Sequence, residues 1–107
     1  MESETVQEEI RMASEHGEVS RSFRVEGRVQ GVAFRMWTRG EGSALGLRGW
    51  VRNLPDGAVE VHVGGPADAV EDLERRLGTG PPAARVKRVV RRGEGRELPA
   101  GGFEIRH

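Results

Sequence analysis

Alternating apolar and polar positions predict the strands of this chain. Phe23, Val25 and Gly27 alternate with polar neighbours, which is typical of a strand with one buried face. Similar runs predict the other strands, at residues 48–53, 59–63, 84–92 and 103–106. The alternation in the fourth strand slips at Arg88, which is consistent with a bulge.

Two segments have helical spacing. Between Phe34 and Gly46, apolar or small residues recur at positions 33, 36, 37, 40 and 44. The second helix follows Pro66, a residue suited to a first helical turn, and carries an apolar stripe of Val70, Leu73 and Leu77. The order βαββαβ, plus a short last strand, predicts an α+β fold of the ferredoxin-like type. Two helices would pack on one face of an antiparallel sheet.

Charge divides the chain into two parts. Residues 1–20 contain six glutamates and one arginine, whereas the whole chain has a formal net charge of zero. We therefore predict an acidic, disordered extension at residues 1–20 and one folded domain at residues 21–107. The positive charge of that domain favours anionic ligands.

Composition narrows the classes of function. The chain has no cysteine, so disulfides, thiolate catalysis and thiolate metal sites are excluded. Its three histidines are scattered without ligand spacing, so we expect no metal and no cofactor. The sequence has neither an apolar run long enough to span a membrane nor a recognisable signal peptide, and we expect a cytoplasmic protein.

The most informative segment is the loop after the first strand, within residues 27–35. Gly27 and Gly31 flank a short turn whose successive N–H groups can converge on one anion. A helix beginning after the loop adds unpaired N–H groups and its positive dipole end. Arg35 adds a planar fork of donors that matches phosphate oxygens. The local chemistry predicts a phosphate or carboxylate cradle.

Asn53 is the second candidate, at the end of the second strand. Period-two alternation places it on the same face as Val51 and Gly49. If Val51 points into the core beneath the helices, Asn53 also faces the helices. We therefore expect its carboxamide to lie near the loop and Arg35.

The segments GRVQGVAFR, at residues 27–35, and LGLRGWVRNLPDG, at residues 45–57, together resemble the acylphosphatase family. The resemblance extends over residues 21–107. It implies a small, metal-free enzyme that hydrolyses the carboxyl–phosphate bond of acyl phosphates, giving a carboxylate and inorganic phosphate. It also implies that Arg35 and Asn53 are catalytic. We expect this enzyme to be a monomer. The family's phosphate-binding loop falls on Arg28, Val29, Gln30, Gly31, Val32 and Ala33.

The chain departs from the family pattern in two places. Ala33 stands where glycine or an aromatic residue is common, which changes the wall of the loop more than its chemistry. The acidic residues 1–20 lie outside the part that resembles the family.

These residues suit phosphoryl transfer, which depends mainly on positioning and charge stabilisation. We expect Arg35 and the loop amides to hold the phosphoryl oxygens. An amide side chain cannot accept a proton at neutral pH, so Asn53 would orient the attacking water and would not act as a base.

Two other functions stay open at this point. One is a nucleic-acid-binding module, since RNA-recognition domains share this fold class. The basic residues that support it are Arg85, Lys87, Arg88, Arg91 and Arg92. The other is a non-catalytic anion sensor with an intact cradle.

Overall fold

Five strands and two helices make up the protein in the computed structural model, which describes residues 17–107. The strands are β1 (Glu18–Arg28), β2 (Arg48–Asn53), β3 (Val59–Pro66), β4 (Arg85–Gly93) and β5 (Phe103–Arg106). The helices are α1 (Phe34–Ala44) and α2 (Ala67–Leu77). Neither of these helices is long and apolar enough to cross a membrane.

The folded part begins earlier than the pattern predicts. Strand β1 starts at Glu18, and Glu18, Val19 and Ser20 pair with the end of β3. The polar residues Glu18 and Ser20 hide this pairing from the apolar pattern, because backbone hydrogen bonds of a strand do not require apolar side chains. The disorder is predicted for residues 1–20, and of these residues 1–16 lie outside the described part of the chain.

The sheet has the strand order β4-β1-β3-β2-β5. The pairs β4–β1, β1–β3 and β3–β2 are antiparallel, as the ferredoxin-like pattern predicts. The expectation of a wholly antiparallel sheet is wrong at one edge, because β5 runs parallel to β2. Residues 94–102 carry the chain from β4 at one edge of the sheet to β5 at the other edge. There β5 runs in the same direction as its neighbour β2.

The core lies between the sheet and the two helices. Phe23, Val25 and Val51 are fully buried there, and α2 contributes the predicted stripe of Val70, Leu73 and Leu77. Helix α1 differs from the prediction, because its buried residues are Phe34, Thr38 and Gly42. An added Cβ on Gly42 would lie 2.5 Å from the ring of Phe103, so a small residue is needed for this close packing.

The bulge predicted near Arg88 is present in the pairing of β1 with β4. Glu26 pairs with Arg88 and Gly27 pairs with Val86, so Lys87 is the extra residue. Gly27 has φ +129°, and a Cβ there would lie 2.2 Å from the carbonyl oxygen of Arg85. The glycine is therefore required both by its backbone conformation and by the close approach of β4.

We predict that Gly27→Ala lowers the free energy of unfolding by about 2 kcal/mol or more, since a Cβ meets backbone atoms that cannot move aside. Urea denaturation measures this loss. Gly57→Ala is the matched control, because Gly57 also has positive φ (+97°) but has no atom within 4 Å of an added Cβ. Equal losses in the two variants would show that the contact with β4 is unimportant.

Candidate active site

The backbone between β1 and α1 has the shape of an anion-binding turn. Gly31 and Ala33 both have left-handed conformations, with φ of +74° and +62°. This conformation is unusual for alanine and costs about 1–2 kcal/mol, and such strain is concentrated at functional sites.

Helix α1 begins directly after this turn with its donors uncovered. Its first intrahelical bond runs from the N–H of Trp37 to the carbonyl of Ala33, at 3.0 Å. The three preceding amides, of Phe34, Arg35 and Met36, therefore have no intrahelical acceptor. Ala33 has no side chain that can cap them, and the first turn contains no acidic residue. The helix end is thus open to an anion.

Apolar side chains fix the turn to the core. Val29 is 1% exposed and Phe34 is 2% exposed, so residues on both sides of the turn are anchored. The hydroxyl of Thr38, itself fully buried, donates to the carbonyl of Phe34 at 2.8 Å and satisfies its own polar group. The turn is therefore held in place before any ligand arrives.

Gln30 connects the turn to the hairpin that carries Asn53. Its side-chain Nε2 donates to the carbonyls of Leu54 and Ala58, each at 2.8 Å. Leu54 immediately follows Asn53, and its N–H donates to Ala58 across the hairpin at 2.8 Å. Gln30 therefore sets the distance between the loop and the end of β2.

Arg35 and Asn53 line the same cavity, which has a volume of about 500 Å³. It lies at the loop, the first turn of α1 and the ends of β2 and β5. Its lining residues are Val29, Gly31, Ala33, Phe34, Arg35, Met36, Asn53, Ile105 and His107. The structure thus brings the two predicted residues to one cavity. Their roles stay predictions.

Both polar side chains have unused hydrogen-bonding capacity. Within residues 17–107, Arg35 has one side-chain contact, from its Nη1 to Nδ1 of His107 at 3.4 Å, and no carboxylate lies within 4 Å of its guanidinium. Asn53 is half-buried, and its carboxamide has no hydrogen-bond partner in the same part of the chain. A cation without a carboxylate and an amide without a partner are both available to a ligand.

The predicted loop residues differ in what they present to the cavity. Val29, Gly31 and Ala33 line it, whereas Arg28, Gln30 and Val32 are not among its lining residues. Arg28 is the exposed last residue of β1, and Val32 packs against the core. The side chains of these three residues therefore do not line the cavity.

Four further lining residues are not among the predicted site residues: Phe34, Met36, Ile105 and His107. Met36 was assigned to the buried face of the helix, but 61% of it is exposed. Ile105 and His107 lie in and after β5, so their proximity depends on the parallel pairing with β2. No local pattern in the sequence indicates that pairing.

The opposite face of the sheet holds a second cavity of about 360 Å³. There the rings of Trp50 and His62 stack at 4.1 Å, and the guanidinium of Arg106 lies 4.8 Å from the Trp50 ring centre. The indole also donates to the carbonyl of Arg96 at 2.8 Å, and only 3% of Trp50 is exposed. This aromatic residue is therefore covered and offers no surface on which a nucleic-acid base can stack.

The basic residues of β4 lie on an edge strand, as expected of a strand protected from aggregation. Arg88 pairs with Glu26 at 2.5 Å, and Arg91 makes two hydrogen bonds of 2.8 Å to Glu74. Part of this basic run is thus neutralised within the molecule, which weakens the case for a nucleic-acid patch.

His62 gives the fold a pH dependence. Burial lowers its pKa below the ordinary 6.5, and the nearby Glu60 carboxylate opposes that shift only in part. Arg52 and Arg96 also disfavour the charged form, and the backbone N–H of Arg96 donates to Nδ1 at 2.9 Å. The folded state therefore holds the imidazole neutral in a range where the unfolded chain binds a proton.

We predict that the free energy of unfolding decreases as the pH falls from 6.5 toward the lower pKa of folded His62. Urea denaturation at pH 7.5 and pH 5, compared between the native protein and His62→Gln, measures this effect. The variant should lose less stability on acidification, since His16 and His107 contribute equally to both proteins. An identical loss in both would contradict the assignment to His62.

Within residues 17–107, no cluster of three or more histidine, aspartate or glutamate side chains is arranged to hold a metal ion.

Comparisons with known proteins all indicate the same family. The family model described as Acylphosphatase matches residues 21–105. An acylphosphatase of Nitrobacter hamburgensis is 54% identical over 72 residues, covering 67% of this chain and 73% of that protein. One of Anaeromyxobacter dehalogenans is 54% identical over 82 residues, covering 77% and 88%.

The fold agrees as well. The structure of an acylphosphatase from Coxiella burnetii superposes with a TM-score of 0.77 at 37% identity, covering 83% of this chain and 93% of that one. The ferredoxin-like α+β fold predicted from the sequence is confirmed by this likeness. With a family match over most of its length, this chain belongs to the acylphosphatase family.

Proposed function

We propose that the protein is an acylphosphatase that hydrolyses the carboxyl–phosphate bond of acyl phosphates without a metal ion or cofactor. The observation that carries this proposal is the juxtaposition of Arg35 and Asn53 on one cavity at the open N-terminus of α1. Family membership supplies the reaction, and the cavity supplies groups suited to it.

The phosphoryl group of the substrate binds to Arg35 and to backbone amides of the turn and the first turn of α1. Arginine offers two parallel N–H donors to phosphate oxygens, and the helix end adds its positive dipole. Because Arg35 has no carboxylate partner within the described residues, none has to be displaced when the phosphoryl group binds. These donors stabilise the charge on the phosphoryl oxygens in the transition state.

Asn53 orients the water that attacks phosphorus. A new bond forms between the water oxygen and phosphorus while the bond between phosphorus and the carboxylate oxygen breaks in line with it. The carboxylate leaves with the electron pair of that bond. The proton of the water passes to a phosphoryl oxygen, because Asn53 cannot accept it. A carboxylate leaves readily, so this step needs no general acid.

In this proposal, the loop residues act through their backbone. The amides of Gly31, Val32 and Ala33 face the phosphoryl group, whereas the side chains of Val29 and Gln30 hold the turn against the core and the hairpin. The side-chain contacts of Val29 and Gln30 support this division of roles.

We also propose that the protein is a cytoplasmic monomer, with an acyl phosphate as its substrate and inorganic phosphate as its product. The alternatives are an anion sensor that binds phosphate without turnover and a nucleic-acid-binding module. The nucleic-acid alternative is weakened because Trp50 is covered and because arginines of β4 are paired with carboxylates of the same molecule.

The test is hydrolysis of benzoyl phosphate in the presence of EDTA. Turnover that EDTA leaves unchanged supports the proposal. Phosphate binding without turnover would instead support the sensor, and RNA binding that weakens steeply with salt, without turnover, would support the nucleic-acid module. Turnover that EDTA abolishes would contradict the metal-free mechanism.

A further inference from the structure

The cavity lined by Arg35 and Asn53 has more lining residues than the phosphoryl group requires. Arg35, Asn53 and the backbone of the turn account for the phosphoryl group and the attacking water. The lining side chains that are left over for the acyl group and are not buried in the core are mainly apolar: Ala33, Met36 and Ile105. His107 is the polar exception, and its Nδ1 faces Arg35.

Met36 is the distinctive member of this set. It is 61% exposed, and within residues 17–107 no other large hydrophobic side chain is exposed. A single exposed methionine has no significance by itself. This one adjoins Arg35 in the chain, lies in the first turn of α1 and lines the cavity that its neighbour enters. Its flexible, unbranched side chain can adapt to acyl groups of different shape.

The lining also lacks a partner for a charged acyl group. Its arginine, Arg35, is engaged by the phosphoryl group when substrate is bound, and none of the lining side chains is a carboxylate. A positively charged acyl group would lose hydration without gaining an ion pair with a lining side chain. In-line displacement also restricts the position of the acyl group, because the leaving carboxylate must lie on the side of phosphorus opposite the attacking water.

We infer that the acyl half of the substrate is apolar and that Met36, with Ile105, forms its binding surface. This inference rests on the proposed acylphosphatase activity and names the substrate class of that site. An acyl chain covered by Met36 gains binding free energy in proportion to the apolar area that it removes from water. Two methylenes that are half covered should raise kcat/KM about fourfold.

The test compares kcat/KM for acetyl, butanoyl and heptanoyl phosphate. Their leaving carboxylates have closely similar basicity, so differences in rate report contacts with the chain and not intrinsic reactivity. We expect kcat/KM to rise about fourfold from acetyl to butanoyl phosphate and further for heptanoyl phosphate. We expect 6-aminohexanoyl phosphate, which replaces the terminal methyl of the heptanoyl chain by an ammonium group, to lose most of that gain.

Variants at Met36 identify the surface. Met36→Ser should lower the ratio of heptanoyl to acetyl kcat/KM at least about threefold, since most of the apolar contact is removed. Met36→Leu should preserve the ratio. The exposure of Met36 makes both variants compatible with folding.

Equal kcat/KM for all three chains, or an unchanged ratio in Met36→Ser, would overturn this inference while leaving the proposed function intact. A failure to hydrolyse any of the acyl phosphates would instead overturn the proposed function. The two failures are therefore distinguishable in one set of assays.

Discussion

Arg35→Gln should lower kcat/KM for benzoyl phosphate about 10²–10³-fold, the usual effect of removing one pre-aimed donor from a transition state. Glutamine keeps much of the length of the side chain but loses the charge and the second parallel N–H. Inhibition by inorganic phosphate should weaken as well, because the same guanidinium holds the product. Steady-state kinetics with phosphate as a competitor measure both effects.

Arg39→Gln is the matched control for this experiment. Arg39 lies on the same helix, one turn after Arg35, is exposed, and is not among the residues that line the cavity. The two variants change the net charge equally, so a general field effect would lower activity in both. If Arg39→Gln reduced kcat/KM as much as Arg35→Gln, the direct contact proposed for Arg35 would be wrong.

Asn53→Ala should reduce kcat for benzoyl phosphate about 100-fold while leaving the inhibition constant of inorganic phosphate nearly unchanged. The reason is that the carboxamide positions the attacking water and not the phosphoryl group. Measurement of kcat together with the phosphate inhibition constant separates the two roles. A thermal unfolding curve verifies that β2, which ends at Asn53, remains intact.

Two results would contradict the role assigned to Asn53. If the variant kept nearly full turnover, another group would position the water. If phosphate inhibition weakened as much as turnover, the carboxamide would bind the phosphoryl oxygens directly.

Most of the fold follows from local patterns, and the exceptions have physical causes. Alternation identifies β1 to β4 because each has one face against the core, as Phe23 and Val25 show. It does not identify the neighbours of β5. The parallel pairing of Phe103 with Gly49 forms only after the chain crosses the sheet, so no short-range signal encodes it.

The face of α1 was misjudged because small and polar residues form its contact with the sheet. Gly42 lets the helix approach Phe103, and Thr38 can be buried because its hydroxyl bonds the helix backbone. Apolar periodicity gives these residues little weight, whereas it assigns Met36 to the core. The consequence is functional, since Met36 lines the candidate active site.

The candidate site could be predicted to a greater extent, because its parts are local. Gly31 and Arg35 lie within one short segment, and period-two alternation correctly puts Asn53 on the helix side. The role of Gln30 could not be predicted, since the two carbonyls that its side chain reaches, of Leu54 and Ala58, lie 24 and 28 residues away in the chain. Such a bond depends on the tertiary fold.

A crystal structure of the protein with bound inorganic phosphate is the most direct test of the site. We predict one phosphate at the start of α1, with oxygens about 2.7–3.2 Å from the guanidinium of Arg35 and from amides of residues 31–35, and with Asn53 beside it. A phosphate bound instead near Arg92 and Arg96 on the opposite face of the sheet, with the cavity at Arg35 unchanged, would contradict the account.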